Sequence, residues 1–179
     1  MLKLDDTAVV LIDVQGKLAK IMHQSSELLN NLEKLIKGAQ MLEVPILWVE
    51  QYPKGLGPTT EQLKQHLTDQ TPIEKVTFSA CKTEAFKEAV EKLNRNSFLV
   101  AGIESHICVY QTVSELLANG KEVEVVVDGV SSRTLANKEV GIEKMKSKGA
   151  QITSVEMALF ELMETSKHPK FKEISNLIK

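Results

Sequence analysis

The stretch Ser97-Phe98-Leu99-Val100-Ala101-Gly102-Ile103-Glu104-Ser105-His106-Ile107-Cys108-Val109 changes its periodicity within a few residues. Ser97 to Ala101 is apolar without polar alternation, as in a strand covered on both faces. Gly102 ends the run and a tight turn follows. From Ile107 a helical pattern runs to Asn119, and Gly120 stands at the C′ position where helices commonly stop. A strand that feeds a helix through a short turn is half of a βαβ unit. Cys108 falls near the first turn of that helix, where unpaired N–H groups and the positive dipole end favour a thiolate.

The same alternation continues on both sides. Thr7 to Asp13 is an apolar run stopped by an acid, and Ser25-Ser26-Glu27 opens a helix that reaches about Glu43. Pro45 precedes a second strand at Ile46 to Val49. Gln51 to Thr60, with two prolines and two glycines, reads as a loop, and a weak helix follows at Glu61 to Leu67. Thr71 to Lys75 is short and extended, and Thr83 to Asn94 is an amphipathic helix. On the other side, Glu122 to Val127 reads as a strand stopped by Asp128-Gly129. Leu135 to Lys148 reads as a helix closed by Gly149, Gln151 to Thr153 as a last strand, and two helical stretches finish the chain. Strands alternating with helices predict a three-layer α/β/α sandwich with a central, mainly parallel sheet. Ligands bind such sheets beyond the carboxyl ends of the strands, where Asp13, Glu50 and the turn leading to Cys108 fall.

Bulk composition narrows the function. With 42% hydrophobic and 26% charged residues in 179, residues 1–179 read as a single globular domain with room for a sizeable core. A net charge of −2 without a basic stripe argues against a nucleic-acid partner. No apolar run is long enough for a membrane span, and no signal-peptide h-region stands at the start. Two cysteines make no disulfide framework, so a cytoplasmic home is expected. No histidine spacing at His23, His66 or His168 points to a metal, and no cofactor is expected.

Taken singly, each reactive residue has a bland reading: Asp13 as a cap for the following loop, Lys75 as a solvated lysine, Cys108 as a small buried hydrophobe. Together they make a device. A thiol needs a base for its proton and a cation to hold charge, roles that suit Asp13 and Lys75, while N–H groups in the turn before Cys108 suit an oxyanion hole. The reaction class is acyl transfer to water through a thioester, most simply hydrolysis of an amide. Cys81 shows no such surroundings and reads as structural.

The order Asp13, Lys75, Cys108 and the segments Leu11-Ile12-Asp13-Val14-Gln15, Glu74-Lys75-Val76-Thr77-Phe78-Ser79-Ala80 and Ala101 to Val109 resemble the isochorismatase-like cysteine hydrolases, over nearly the whole chain. The Gln51 to Thr59 loop and the ending at His168-Pro169-Lys170 look like the subgroup of isochorismatase domain-containing proteins. The resemblance implies a Rossmann-like sheet of six strands, an Asp-Lys-Cys triad, and a cis peptide at Ile103–Glu104 that aims the N–H groups of Glu104 and Cys108 at an oxyanion. It also implies a homo-oligomer, dimer or tetramer. Two departures matter. The Asp-x-His metal site of nicotinamidases is replaced by Trp48-Val49-Glu50-Gln51-Tyr52, so no catalytic metal is expected. Isochorismatases that cleave a vinyl ether lack the cysteine, so Cys108 argues against that reaction.

Gln15, Tyr52 and Phe78 are expected to line a substrate pocket, whereas Trp48, in mid-strand, reads as core. A Cys108–His106 dyad is disfavoured, because residues two apart on a helix point different ways. Asp128 is expected to hold its loop through Ser131 or Ser132. Two functions compete: a cysteine hydrolase of a small amide or related C–N bond, and a binding or interaction protein that keeps the fold without turnover.

Overall fold

The computed structural model describes residues 1–179. In chain order the elements are β1 (Thr7–Ile12), α1 (Gly16–Lys20), α2 (Ser25–Met41), β2 (Ile46–Gln51), α3 (Pro53–Leu56), α4 (Glu61–Lys64) and β3 (Ile73–Lys75). Then come α5 (Glu84–Leu93), β4 (Ser97–Ile103), a π-helical turn (Ser105–Val109), α6 (Tyr110–Ala118), β5 (Glu122–Ser131), α7 (Leu135–Ser147), β6 (Gln151–Thr153), α8 (Val155–Met163) and α9 (Phe171–Ile178).

The six strands form one sheet in the order β3-β2-β1-β4-β5-β6, and every neighbouring pair is parallel. Parallel pairing obliges each connection to cross over the sheet, and helices carry the crossovers. Every residue of β1 and β4 is buried, which explains their lack of polar alternation. The period of two still operates inside β1. Val9 and Leu11 join Leu32, Leu35 and Leu159 in one core, beneath α2 and α8. Ala8, Val10 and Ile12 join Phe86, Val113 and Met145 in the other, beneath α5, α6 and α7. The expected three-layer α/β/α sandwich around a parallel sheet is what these two cores and the six strands form.

Strand order reverses between β1 and β4, because the chain builds β1, β2 and β3 outward to one edge and returns with β4 on the other side of β1. A crevice opens at such a switch point, beyond the carboxyl ends of the two strands. Asp13 follows β1 directly, and the Glu104 to Cys108 turn follows β4.

Several boundaries differ from expectation. β5 does not stop at Asp128-Gly129 but continues to Ser131, through an irregularity that shifts its register against β4 between Val100 and Gly102. Asp128 does not hold its own loop: its Oδ1 accepts from Val155 N (2.9 Å) at the start of α8, and its carbonyl accepts from Asn31 Nδ2 (3.0 Å) on α2. The segment after Glu104 opens as a π-helical turn, and α6 proper starts only at Tyr110. The Gln51 to Thr60 segment contains α3, and α1 was not anticipated at all. No helix is long and apolar enough to cross a membrane.

Candidate active site

Asp13 takes a left-handed backbone conformation (φ 53°), one that aspartate adopts more readily than most residues, as the chain leaves β1. The residue is 2% exposed. Its Oδ2 accepts from Lys75 Nζ at 2.7 Å, while its Oδ1, equally buried, has no hydrogen-bond partner. Lys75, the last residue of β3, is 3% exposed. Its ammonium donates to Asp13 Oδ2, to Gln51 Oε1 at 2.6 Å and to Thr77 O at 3.2 Å. Those bonds use all of its donor capacity.

Cys108 lies in the π-helical turn, 8% exposed. The Ile103–Glu104 peptide is cis. Glu104 O accepts from both Ile107 N (3.0 Å) and Val109 N (3.3 Å), which bends the turn tightly around Cys108, and the Glu104 N–H donates to no backbone carbonyl. The Glu104 carboxylate faces the other way: its Oε1 accepts from Arg133 N and Arg133 Nε, both at 3.0 Å, and ties the turn to the segment after β5.

A cavity of about 130 Å³ opens over Cys108. Its polar wall is Asp13, Gln51 and Glu104, and its apolar wall is Leu18, Leu56, Phe78, Ile103 and Ile107. A larger cleft of about 360 Å³ sits at the amino ends of the strands, beside Leu2, Ser97 and Gln151, and holds no cysteine.

Burial and neighbours set the protonation states. Burial holds the Asp13 carboxyl above its ordinary range, with Lys75 opposing. The Cys108 thiol is pushed up to about 12, first by burial, then by the Asp13 charge, with Lys75 acting the other way. The expectation of a resting thiolate is therefore corrected: the sulfur is buried against a carboxylate, and the regular helix whose dipole was to help begins two residues later, at Tyr110. Burial also pushes Cys81 up to about 11, and its Sγ donates to Thr112 O at 3.7 Å.

The remaining expected residues divide. Phe78 lines the cavity. Gln15 does not: fully buried, its Nε2 donates to Gln51 O (3.0 Å) and Gly57 O (2.7 Å) and its Oε1 accepts from Gln51 N (2.6 Å), which fastens the end of β2 to the following loop. Tyr52, 54% exposed, lies instead on an open cleft with Pro53 and Thr83. Trp48 is buried, and its Nε1 donates to Thr59 Oγ1 at 2.8 Å. Glu50 Oε1 accepts from Thr59 N (2.7 Å) and Oγ1 (2.8 Å), so it pins the same loop. His106 Nδ1 meets Ser132 Oγ at 3.0 Å, and His66 Nε2 meets Glu33 Oε1 at 3.0 Å. No three His, Cys, Asp or Glu side chains converge in a way that could hold a metal ion. Sequence reasoning missed Gln51, Leu18, Leu56 and Ile107. A polar side chain directly beyond the apolar β2 run was the available signal for Gln51. Leu18 and Leu56 sit on α1 and α3, too short to show a period.

An isochorismatase domain model matches residues 7–157. Isochorismatase family protein 1B of Dictyostelium discoideum is 34% identical over 179 residues, 98% of this chain and 87% of the relative. The secreted isochorismatase effector Isc1 of Phytophthora sojae is 34% identical over 177 residues, 97% of this chain and 84% of the relative. A solved structure described as the MAR1 ribonuclease of Caenorhabditis elegans superposes with a TM-score of 0.92 at 37% identity, covering 99% of this chain and 91% of that one. The chain belongs to the isochorismatase family, in the subgroup of isochorismatase domain-containing proteins.

Proposed function

We propose that this single domain is a cysteine hydrolase that cleaves a small amide or related C–N bond through a thioester, with Asp13, Lys75 and Cys108 as its catalytic residues. Family membership supports a hydrolase. The observation that carries the finer reading is the unpartnered, buried Asp13 Oδ1 in the same small cavity as the Cys108 thiol, with Lys75 fixing the other carboxylate oxygen.

In this reading Asp13 takes the thiol proton as Cys108 Sγ attacks the carbonyl carbon, so no free thiolate has to accumulate. The oxygen gains the electron pair of the broken π bond and is held by the N–H groups of Glu104 and Cys108. The tetrahedral intermediate collapses, the C–N bond breaks, and the leaving nitrogen takes the proton from Asp13. Water then attacks the thioester, Asp13 accepts its proton, and a carboxylic acid leaves as the proton returns to sulfur. Lys75 keeps Asp13 in place and ionised.

The test is ammonia release from a panel of small primary amides, with intact-mass detection of an acyl adduct on Cys108. Wild type is expected to turn over a member of the panel. Cys108→Ala should abolish both signals, and Asp13→Asn should slow acylation by about 10²–10⁴-fold. An Asp13→Asn variant with full activity refutes the base assignment. Every proton in these steps is handled by the chain's own groups, so treatment with a chelator should leave the rate unchanged.

A second reading is favoured by one observation, the ribonuclease description of the C. elegans structure at 37% identity. The net charge of −2 opposes it. Incubation with single-stranded and duplex RNA decides: cleavage lost in Cys108→Ala would replace the amidase reading. The third alternative, a binding protein without turnover, predicts no acyl adduct with any amide. We read the two unpaired cysteines as belonging to a reducing cytoplasm, although the family also holds a relative named as secreted. Tyr52 and Val76 are exposed apolar side chains near the site, and they support the expected dimer or tetramer, which sedimentation velocity would resolve.

A further inference from the structure

The cavity over Cys108 is small and offers no free cation. Its volume is about 130 Å³. Leu18, Leu56, Ile103 and Ile107 offer no hydrogen bond to a substrate. Asp13 is the carboxylate that faces this space, while the Glu104 carboxylate is turned toward Arg133. The two neighbouring cations are committed. Lys75 spends its three protons on Asp13, Gln51 and Thr77, and Arg133 is bound to Glu104 with its side chain 54% exposed on the far side.

We propose that the site accepts an acyl group that is small, uncharged and aliphatic, and that it rejects acyl groups carrying a carboxylate. This rests on the hydrolase reading above and narrows its substrate class. A second carboxylate in the cavity would lose its hydration without gaining a cation, and it would meet the like charge of Asp13. A neutral chain loses nothing comparable and buries its methylenes against the apolar wall. The leaving nitrogen is less constrained. Phe78 and Leu56, 55% and 37% exposed, stand at the mouth, so the amine portion projects past them toward solvent.

Iodoacetamide and iodoacetate form a matched pair, because both deliver a two-carbon group to sulfur with loss of iodide and differ in charge. Their alkylation rates at Cys108 are read by peptide mass spectrometry in the native protein and in the urea-unfolded chain. The amide-to-acid rate ratio at Cys108 is expected to be at least tenfold larger in the native state than in urea. A native ratio equal to or below the unfolded one overturns the proposal. So does failure of iodoacetamide to reach native Cys108, since the cavity would then admit no acyl-sized group.

A second arm compares ammonia release from butanamide and from succinamate, which differ by a terminal carboxylate. Faster turnover of butanamide supports the proposal, whereas equal or faster turnover of succinamate overturns it and leaves the hydrolase reading intact. Charge-selective alkylation with neither amide cleaved sustains the inference about the cavity and counts against the hydrolase reading.

Discussion

A carboxylate as buried as Asp13 persists as an anion only beside a fixed cation, and Lys75 is that cation, 2.7 Å away. The pair has a testable pH signature. Asp13 must be ionised to take a proton, so activity falls as pH drops through its pKa, which burial holds above the ordinary 3.8. Lys75 is the largest influence pulling that pKa down. Replacing it in Lys75→Met should therefore move the acid limb of the rate profile, or of Cys108 alkylation, to higher pH. Stability should follow the same sign. In the variant the folded-state pKa of Asp13 rises further above its unfolded value. The variant is then closest to wild type below the unfolded pKa and loses ground as pH rises through the folded one, by up to about 3–5 kcal/mol at neutrality. Urea denaturation at acid and neutral pH checks this; a gap that narrows toward neutrality contradicts the assignment. Asp13 and the turn before Cys108 were legible in the sequence because each follows an apolar run that reads as a strand, whereas Lys75, bland by itself, stood out only through its partners and the family resemblance. Gln51 and the thiol's protonation state were not, since both depend on which loops close over the site.

Among the elements, the turn that carries Cys108 is shaped from outside by two glycines. Gly102, at φ 122°, lies so close to β1 that a Cβ there would fall 2.1 Å from Ile12 O. Gly141 lets α7 rest on the turn itself, where a Cβ would stand 2.7 Å from the Ser105 carbonyl carbon and 2.8 Å from His106 N. Backbone cannot move aside as a side-chain end can, so Gly141→Ala should destabilise by about 1–3 kcal/mol. It should also reduce Cys108 acylation at temperatures where the variant remains fully folded. Wild-type acylation rates in a folded Gly141→Ala protein would show that α7 does not position the turn. Asp128→Ala removes the acceptor for Val155 N and should cost about 1 kcal/mol in thermal unfolding, with acylation unchanged. Strand and helix existence was readable from periodicity here. The π-helical turn, the long β5 and the role of Asp128 were not, because they arise from contacts between elements far apart in sequence.

Across the whole molecule, alternation of strands and helices was enough to predict the layers and to direct attention to the carboxyl end of the sheet, where the candidate site was sought. The strand order, and hence the switch point between β1 and β4, came only with the structure. That order has an energetic consequence. β1 and β4 are central and buried throughout, whereas β3 and β6 are edge strands of three residues each. Lys75 thus belongs to one of the least supported strands. It is held there by Tyr52 N donating to its carbonyl (2.8 Å) and by its own ammonium bonds. Amides of β1 and β4 should exchange with deuterium only through global unfolding, while those of β3 should exchange through smaller local openings. A ligand that acylates Cys108 and fills the cavity makes contact with Asp13 and Gln51, the groups that hold the Lys75 side chain. It should therefore slow exchange in β3 more than in β6, the opposite edge, which has no contact with the site. Equal slowing at both edges would indicate a general gain in stability, and faster exchange in β3 would mean that the acyl group displaces Lys75 from its partners.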